Sequence, residues 1–292
     1  MPSPTDLVEL LRAPAALSVP GDAIAGAAAA GVLDRRTPGL AGASVLLYWA
    51  GMAANDWADR GLDATERPDR PIPSGRVTPS TALGLGVGLT AAGLALAAAA
   101  GGRRATAVAV PLAATIWAYD LVAKNTAAGP AVMAACRGLD VLLGASGGRV
   151  RRAVPAALTV AAHTWTVTAL SRREVSGADR RLPAGTLAGT ALVAASAATP
   201  TWTSDRAAPA GPAALLPAAL ATWYAGRYGH AQARVLAEPT AGRVRAAVGA
   251  GITGLPALQG ALTARAGAGL LGVAVAAAAP LGRMLARKVS PT

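Results

Sequence analysis

The sequence predicts an all-α membrane protein, a polytopic bundle of nine or ten transmembrane helices. Three observations support this prediction. Of the 292 residues, 53% are hydrophobic and only 14% are charged, and the mean hydropathy is +0.42. Several apolar runs reach about 18 residues, the helix length that crosses the hydrocarbon core of a bilayer. The runs lack the two-residue alternation of membrane β-strands, so a β-barrel is not expected.

The apolar runs follow one another in a regular order. Residues up to Leu11 are polar and are expected to lie at the membrane interface. Pro71 and Pro73 exclude a regular helix from the Arg-Pro-rich loop after the second run. We expect residues 1–292 to form a single integral-membrane domain. The predicted spans are 13–33, 38–55, 79–100, 105–119, 130–146, 153–170, 183–198, 212–228, 244–262 and a tenth candidate, 266–281.

Charge and cysteine content exclude several kinds of site. A net charge of +12 would suggest nucleic-acid binding in a soluble protein. Here the basic residues lie between the apolar runs, where they anchor helices, so no nucleic-acid partner is expected. With a cytoplasmic N-terminus, most Lys and Arg residues fall in the cytoplasmic loops, which favours a multi-pass cell-membrane protein of that orientation. The single Cys136 excludes an intrachain disulfide.

An acidic stretch closes the second predicted span. It reads N-D-W-A-D-R-G-L-D from Asn55 to Asp63. In a helix, Asn55, Asp56, Asp59 and Asp63 fall at roughly 0°, 100°, 40° and 80° around the axis, and therefore on one face. Crowded carboxylates repel one another unless a cation lies among them. Oxygen ligands of this type suit Mg²⁺, which commonly joins carboxylates to substrate phosphates.

Basic residues follow the acidic stretch directly. Arg67, Arg70 and Arg76 supply fixed positive charge that suits phosphate oxygens. Acidic residues followed by arginines at a membrane boundary indicate a site for a metal ion and a diphosphate. A solvated interhelical loop explains any single one of these residues equally well, but it explains the whole ordered set poorly.

Two long motifs resemble those of the UbiA superfamily of intramembrane prenyltransferases. They are Asn55-Asp56-x-x-Asp59-x-x-x-Asp63 and the R-P-x-R-P-I-P-S-G stretch that begins at Arg67. Tyr119-Asp120 with Lys124, after the fourth span, is a weaker match. The order of the helices fits as well, so the resemblance covers nearly the whole chain. The stretches Y-D-x-x-x-K-N-T and S-R-R-E-V are similar to the EboC-like branch.

The resemblance implies a UbiA-like bundle around a central cavity, with Mg²⁺ as cofactor and a prenyl diphosphate as substrate. It implies that a hydrophobic wall binds the isoprenoid tail, that membrane lipid is a partner, and that a small or lipid-like acceptor receives the prenyl group. The implied catalytic residues are Asp56, Asp59, Asp63 and Lys124. The implied metal ligands are Asp56, Asp59, Asp63 and Glu174. The implied substrate-binding residues are Asn55, Arg67, Arg70, Tyr119, Arg137, Arg172 and Glu174.

The chain departs from the family pattern after the sixth span. The second family motif is usually of the type DxxxD, whereas this chain has L-S-R-R-E-V-S-G-A-D-R-R. Glu174 is the best remaining ligand, and Arg172 is expected to take over part of the diphosphate binding. The departure weakens the case for a second magnesium ion and leaves open an altered reaction or a loss of catalysis.

Some polar residues lie within or at the ends of predicted spans. Arg137 and Asp140 are three residues apart and could pair on one helix face, either as a structural ion pair or as part of an acceptor site. Tyr224 and Tyr228 lie at the end of the eighth span, where an interfacial aromatic belt is the first interpretation and a role in the cavity is the second.

The predicted function is Mg²⁺-dependent transfer of a prenyl group from its diphosphate to an acceptor. Two alternatives remain. A membrane terpene cyclase of the UbiA type would capture the allylic cation with its own double bonds. A non-catalytic isoprenoid carrier or transporter would keep the diphosphate pocket without the reaction.

Overall fold

The fold is a helical bundle. The computed structural model describes residues 2–12, 18–199 and 214–280, and the regular structure within these ranges is helical throughout. A five-residue π-helix, Tyr119–Ala123, continues α4. The α-helices are α1 Pro4–Leu10, α2 Val19–Ala30, α3 Thr37–Glu66, α4 Pro79–Ala118, α5 Gly129–Gly144, α6 Val150–Ser171, α7 Arg181–Ala198, α8 Leu216–Ala237, α9 Ala241–Arg265 and α10 Gly269–Ala276.

The predicted order of spans is confirmed, but two helices run further than their apolar stretches. Helix α3 continues past Asn55 to Glu66, so the whole acidic stretch is helical. Helix α8 continues past Tyr228 to Ala237, and its added turns include the fully buried Gln232. In both cases neighbouring helices and loops bury the polar side chains. The hydropathy of a segment cannot show that other parts of the chain will bury it. Residues 13–17, 200–213 and 281–292, which include parts of three predicted spans, lie outside the described ranges.

Helix α4 consists of two antiparallel halves. Gly102, in the turn between them, has a φ of +63°, which only glycine adopts readily. The indole Nε1 of Trp117 donates a hydrogen bond of 3.0 Å to Thr90 Oγ1. In a straight helix these two residues would lie about 40 Å apart. The third and fourth predicted spans are therefore confirmed as a hairpin.

Helix α2 lies at the centre of the bundle, in contact with α3, α5, α6 and α9. Small residues allow this close packing. A Cβ added to Gly26 would lie 1.8 Å from the carbonyl oxygen of Val141, and one added to Gly144 would lie 1.9 Å from that of Ala23. Helices α2 and α5 therefore touch backbone to backbone, as is common where helices associate within a membrane.

The aromatic residues of α8 lie in the core, so the prediction of an interfacial belt for Tyr224 and Tyr228 is wrong. Both side chains are fully buried. The Tyr224 hydroxyl lies 2.8 Å from Nδ1 of His163, and the Tyr228 hydroxyl lies 3.2 Å from Oγ1 of Thr166. Because α6 supplies polar partners inside the bundle, the phenol groups need no contact with the interface.

Candidate active site

The C-terminal part of α3 brings buried carboxylates together with arginines from other segments. Asp56 and Asp63 are 4% and 1% exposed. Arg70, from the loop after α3, has its Nη1 2.6 Å from Asp63 Oδ2 and 3.5 Å from Asp56 Oδ1. Arg12, from the N-terminal segment, lies 2.6 Å from Asp56 Oδ1. Arg67 is 3.7 Å from Asp63 and largely exposed. One arginine thus joins two aspartates that are two helical turns apart.

The third aspartate pairs with a different part of the chain. Asp59 Oδ1 lies 2.6 Å from Nζ of Lys124, which directly follows the π-helix. One turn before Asp59, the Asn55 amide donates a hydrogen bond of 3.2 Å to Asp120 Oδ1. A π-helical turn shifts the residues that follow it around the axis and is frequent at functional sites. Here it places Asp120 and Lys124 against the acidic face of α3.

Ion pairs connect helix α1 to the loop that carries Arg70. Arg76 Nη1 lies 2.7 Å from Asp6 and 2.7 Å from Glu9, and Nη2 donates to the carbonyl of Asp69. Hydrogen bonds from the Ser3 side chain and backbone, and then the Arg76 guanidinium, lower the pKa of Asp6 to about 2. These contacts place Arg12, just after α1, over the acidic cluster.

The loop between α6 and α7 lies at the same end of the bundle. An Arg172 Nη1 donates to the carbonyl of Thr126, in the segment after Lys124. Arg245 donates to the carbonyl of Glu174 over 2.8 Å. Partial burial raises the pKa of the Glu174 carboxyl group, and the charges of Arg245 and Arg67 oppose the rise. Arg67 follows α3, so Glu174 lies within electrostatic reach of the loop that carries Arg70.

The structure gathers most of the predicted site residues at one end of the bundle. Tyr119 begins the π-helix that ends directly before Lys124. Arg137 is the exception. Its Nε lies 2.8 Å from Asp22, and its guanidinium is 5.2 Å from the Tyr48 ring. Since Tyr48 precedes Asp59 by eleven residues of one helix, Arg137 lies about 16 Å deeper in the bundle.

The chain has relatives among known proteins. A sequence model of the UbiA prenyltransferase family matches residues 18–241. The chain belongs to the UbiA prenyltransferase family. Membership assigns it to a family of integral-membrane prenyltransferases. Two of the described helical stretches are long and apolar enough to cross a membrane: the α4 hairpin with its π-helix, Pro79–Ala123, and helix α6, Val150–Ser171.

Curated relatives match over a shorter stretch. The digeranylgeranylglyceryl phosphate synthase of Methanothrix thermoacetophila is 41% identical over 80 residues, 26% of this chain and 30% of that protein. The enzyme of the same name from Natronomonas pharaonis is 45% identical over 85 residues, 28% of this chain and 31% of that protein. The match therefore spans less than a third of the length of either relative.

Solved structures show the same fold at low sequence identity. A UbiA homologue from Aeropyrum pernix K1 superposes with a TM-score of 0.62 at 18% identity, covering 88% of this chain and 96% of that one. A structure described as digeranylgeranylglyceryl phosphate synthase in membranes gives a TM-score of 0.65 at 17% identity, covering 90% and 98%. The helical bundle of this chain is the UbiA fold.

Two residues of the acidic cluster were not assigned from sequence. Arg12 is the last basic residue before the first apolar run, and its backbone has a positive φ of 45°, which is unusual for a residue other than glycine. Asp120 is buried and lies beside Tyr119 in a stretch that the sequence did single out. A charged residue beside a predicted span can be recognised in the sequence as a candidate site residue. Which side chain it contacts is known only from the fold.

Carboxylate oxygens are suitable ligands for Mg²⁺, although in this structure basic side chains contact the carboxylates of α3. Among the described residues, no three Asp, Glu, His or Cys side chains lie close enough to share one ion. The Arg70 Nη1, however, is a cationic group within 3.5 Å of both Asp56 and Asp63. A hydrated divalent ion could replace that group between the same oxygen atoms. The donor set of Asp56 and Asp63 therefore fits a magnesium ion.

Proposed function

We propose that this protein is a Mg²⁺-dependent prenyltransferase that moves a prenyl group from a prenyl diphosphate to a small or lipid-like acceptor. The observation that carries the proposal is the convergence of three α3 aspartates with basic residues from three other segments. Asp56 and Asp63 share Arg70, and Asp59 contacts Lys124. This pattern supports a site for a metal–diphosphate pair, because carboxylates suit the ion and basic side chains suit phosphate oxygens.

In the reaction, the C–O bond between the allylic carbon and the diphosphate breaks, and the electron pair leaves with the diphosphate. Arg70 and Lys124 would exchange their carboxylate partners for diphosphate oxygens and stabilise the developing charge. When bound, Mg²⁺ would be held by Asp56, Asp59 and Asp63 directly or through bound water, and it would neutralise further diphosphate charge. The acceptor nucleophile forms the new bond to the allylic carbon and gives its proton to the released diphosphate.

The remaining residues would support this exchange from the rim of the site. Arg12 contacts Asp56 and Arg67 contacts Asp63. When these aspartates bind the ion, the two arginines would lose their partners and could bind diphosphate oxygens instead. Asn55 would orient Asp120 through their hydrogen bond. Arg172, Tyr119 and Glu174 would line the side formed by the loop between α6 and α7, with Glu174 as an additional ligand for the ion.

The nature of the acceptor can be tested by product analysis. The name digeranylgeranylglyceryl phosphate synthase, shared by the two matched relatives, makes a prenylated glyceryl phosphate the first acceptor to try. Reconstituted protein would receive isotope-labelled prenyl diphosphate, Mg²⁺ and a panel of acceptors, and mass spectrometry would identify any adduct. The proposal predicts an adduct together with released pyrophosphate. A cyclised hydrocarbon formed without acceptor would indicate a terpene cyclase instead, and diphosphate binding without turnover would indicate a carrier.

We further propose that the acidic end of the bundle faces the cytoplasm of a cell-membrane protein, as the distribution of basic residues favours. The single native cysteine is buried, so new cysteines can be labelled selectively. A membrane-impermeant maleimide added to intact cells should label Gly147→Cys, in the turn after α5, and should leave Thr65→Cys, at the end of α3, unlabelled until the cells are opened. The reverse pattern would contradict the orientation.

A further inference from the structure

Seven arginines lie on three turns at the end of the bundle away from the acidic cluster. The turns join α2 to α3, the two halves of α4, and α5 to α6. The α4 turn is far from the proposed active site because both outer ends of the α4 hairpin lie at the acidic end. The arginines are Arg35, Arg36, Arg103, Arg104, Arg149, Arg151 and Arg152.

The three turns touch one another. The backbone N–H of Arg149 donates to the carbonyl of Ala30, at the end of α2, over 3.3 Å. A Cβ added to Gly101, in the α4 turn, would lie 3.6 Å from Oγ of Ser146, in the turn after α5. The arginines therefore share one surface of the molecule, which we call the arginine surface.

Little negative charge lies on this surface. Asp34 is the acidic residue of the three turns, and its Oδ1 already accepts a hydrogen bond of 2.8 Å from the backbone N–H of Arg36. Within the described ranges, Arg35, Arg36, Arg103 and Arg104 have no carboxylate within 4 Å, and all four are exposed. Gathered like charges repel one another, so an anion bound among them would stabilise this end of the bundle.

Two adjoining cavities give the arginine surface a shape. One, of about 520 Å³, is lined by Arg35, Arg36 and residues 98–102. The other, of about 620 Å³, has Arg103 in its wall and continues along α4 past Ala107 to Pro111. Ala98 and Gly102 line both cavities. An open, charged depression at the helix ends thus adjoins an apolar groove that runs along α4 from Gly102 to Pro111.

We propose that the arginine surface binds one anionic phospholipid. Its phosphate group lies on Arg35, Arg36 and Arg103, and an acyl chain lies in the groove along Ala107, Val110 and Pro111. Guanidinium groups bind phosphate oxygens through paired hydrogen bonds, and the ends of membrane-spanning helices lie at the level of the lipid headgroups. The apolar groove favours a lipid over free phosphate, which has no tail to fill it. This site is separate from the proposed prenyl-transfer site and does not depend on it.

The proposal is tested by titrating the purified full-length protein with phosphatidylglycerol or phosphatidylcholine and counting bound lipids by native mass spectrometry. The wild-type protein should retain one phosphatidylglycerol and prefer it to phosphatidylcholine. The triple variant Arg35→Gln/Arg36→Gln/Arg103→Gln should bind phosphatidylglycerol roughly fivefold more weakly for each arginine removed. Inorganic phosphate at millimolar concentration should not displace the lipid.

Two further variants separate the loss of charge from the loss of the arginine surface and test the apolar groove. Arg60→Gln/Arg180→Gln/Arg181→Gln removes the same charge from exposed positions elsewhere and should bind lipid as the wild type does. Val110→Trp fills the groove at a half-exposed position, retains every arginine, and should also weaken binding. Equal retention of both lipids by the wild type, equal phosphatidylglycerol binding by the arginine-surface variant, or displacement by inorganic phosphate would each overturn the proposal.

Discussion

Arg70 shows, at the scale of single residues, how the acidic cluster is stabilised. It is about a quarter exposed and contacts two nearly fully buried aspartates through one nitrogen atom. The helical spacing of Asp56, Asp59 and Asp63 could be read from the sequence, because it depends only on residues within one helix. Arg12 could not be assigned, because it reaches Asp56 across 44 positions of the chain.

Replacing Arg70 with lysine tests whether this side chain binds the diphosphate. Lysine retains the charge but lacks the planar fork that can bind two partners at once. We expect KM for the prenyl diphosphate to rise about tenfold, with a smaller change in thermal stability. Steady-state kinetics in proteoliposomes would measure the effect. Arg60→Lys is the matched control, since Arg60 bonds to the carbonyl of Trp57 within its own helix. An unchanged KM for Arg70→Lys would remove Arg70 from the proposed site.

At the scale of elements, helix order was predictable and helix ends were not. Runs of apolar residues mark each span, whereas the extra turns of α3 and α8 depend on partners from distant segments. Tyr224 and Tyr228 illustrate the same limit. Their positions near a span end suggested the interface, but hydrogen-bonding groups on α6 hold them in the core. A single sequence carries no record of such contacts between helices.

The α4 hairpin depends on the backbone conformation of Gly102, at φ +63° and ψ −154°. A residue with a Cβ is strained there, so we expect Gly102→Ala to destabilise the protein by about 2 kcal/mol. Gly84→Ala is the control: it lies within the first half of α4, has open space around it, and should be neutral or slightly stabilising. Thermal unfolding in detergent micelles would compare the two. Equal melting temperatures would show that the turn tolerates a side chain.

At the scale of the whole molecule, a buried polar network joins helices distant in the chain. Arg137 of α5 contacts Asp22 of α2 over 2.8 Å, and Gln259 of α9 donates to the same aspartate over 2.6 Å. Asp140 accepts a hydrogen bond from Ser44 of α3. The sequence suggested a pair between Arg137 and Asp140 within one helix, whereas the structure connects each of them to another helix. The acceptor role of Arg137 and the central cavity stay predictions.

Removing the positive charge of this network should weaken the bundle. Arg137→Met leaves Asp22 and Asp140 buried without their cation, and we expect a loss of about 3 kcal/mol or more in the free energy of unfolding. The double variant Arg137→Met/Asp22→Asn should recover part of that loss, because the amide can still accept from Gln259. Denaturant unfolding of the purified proteins would give both values. No recovery in the double variant would show that the two side chains act independently.

The central claim is that the aspartates of α3 bind a divalent ion and a diphosphate together. Its most direct test is Mg²⁺-dependent release of pyrophosphate from a prenyl diphosphate, in the presence of the acceptor that product analysis identifies, by reconstituted Asp59→Asn protein. Asparagine can still accept a hydrogen bond from Lys124, so the fold should persist, and Glu66→Gln on the exposed end of the same helix is the matched control. We predict a loss of about 100-fold or more for Asp59→Asn and wild-type release for Glu66→Gln. Wild-type release by Asp59→Asn would contradict the claim.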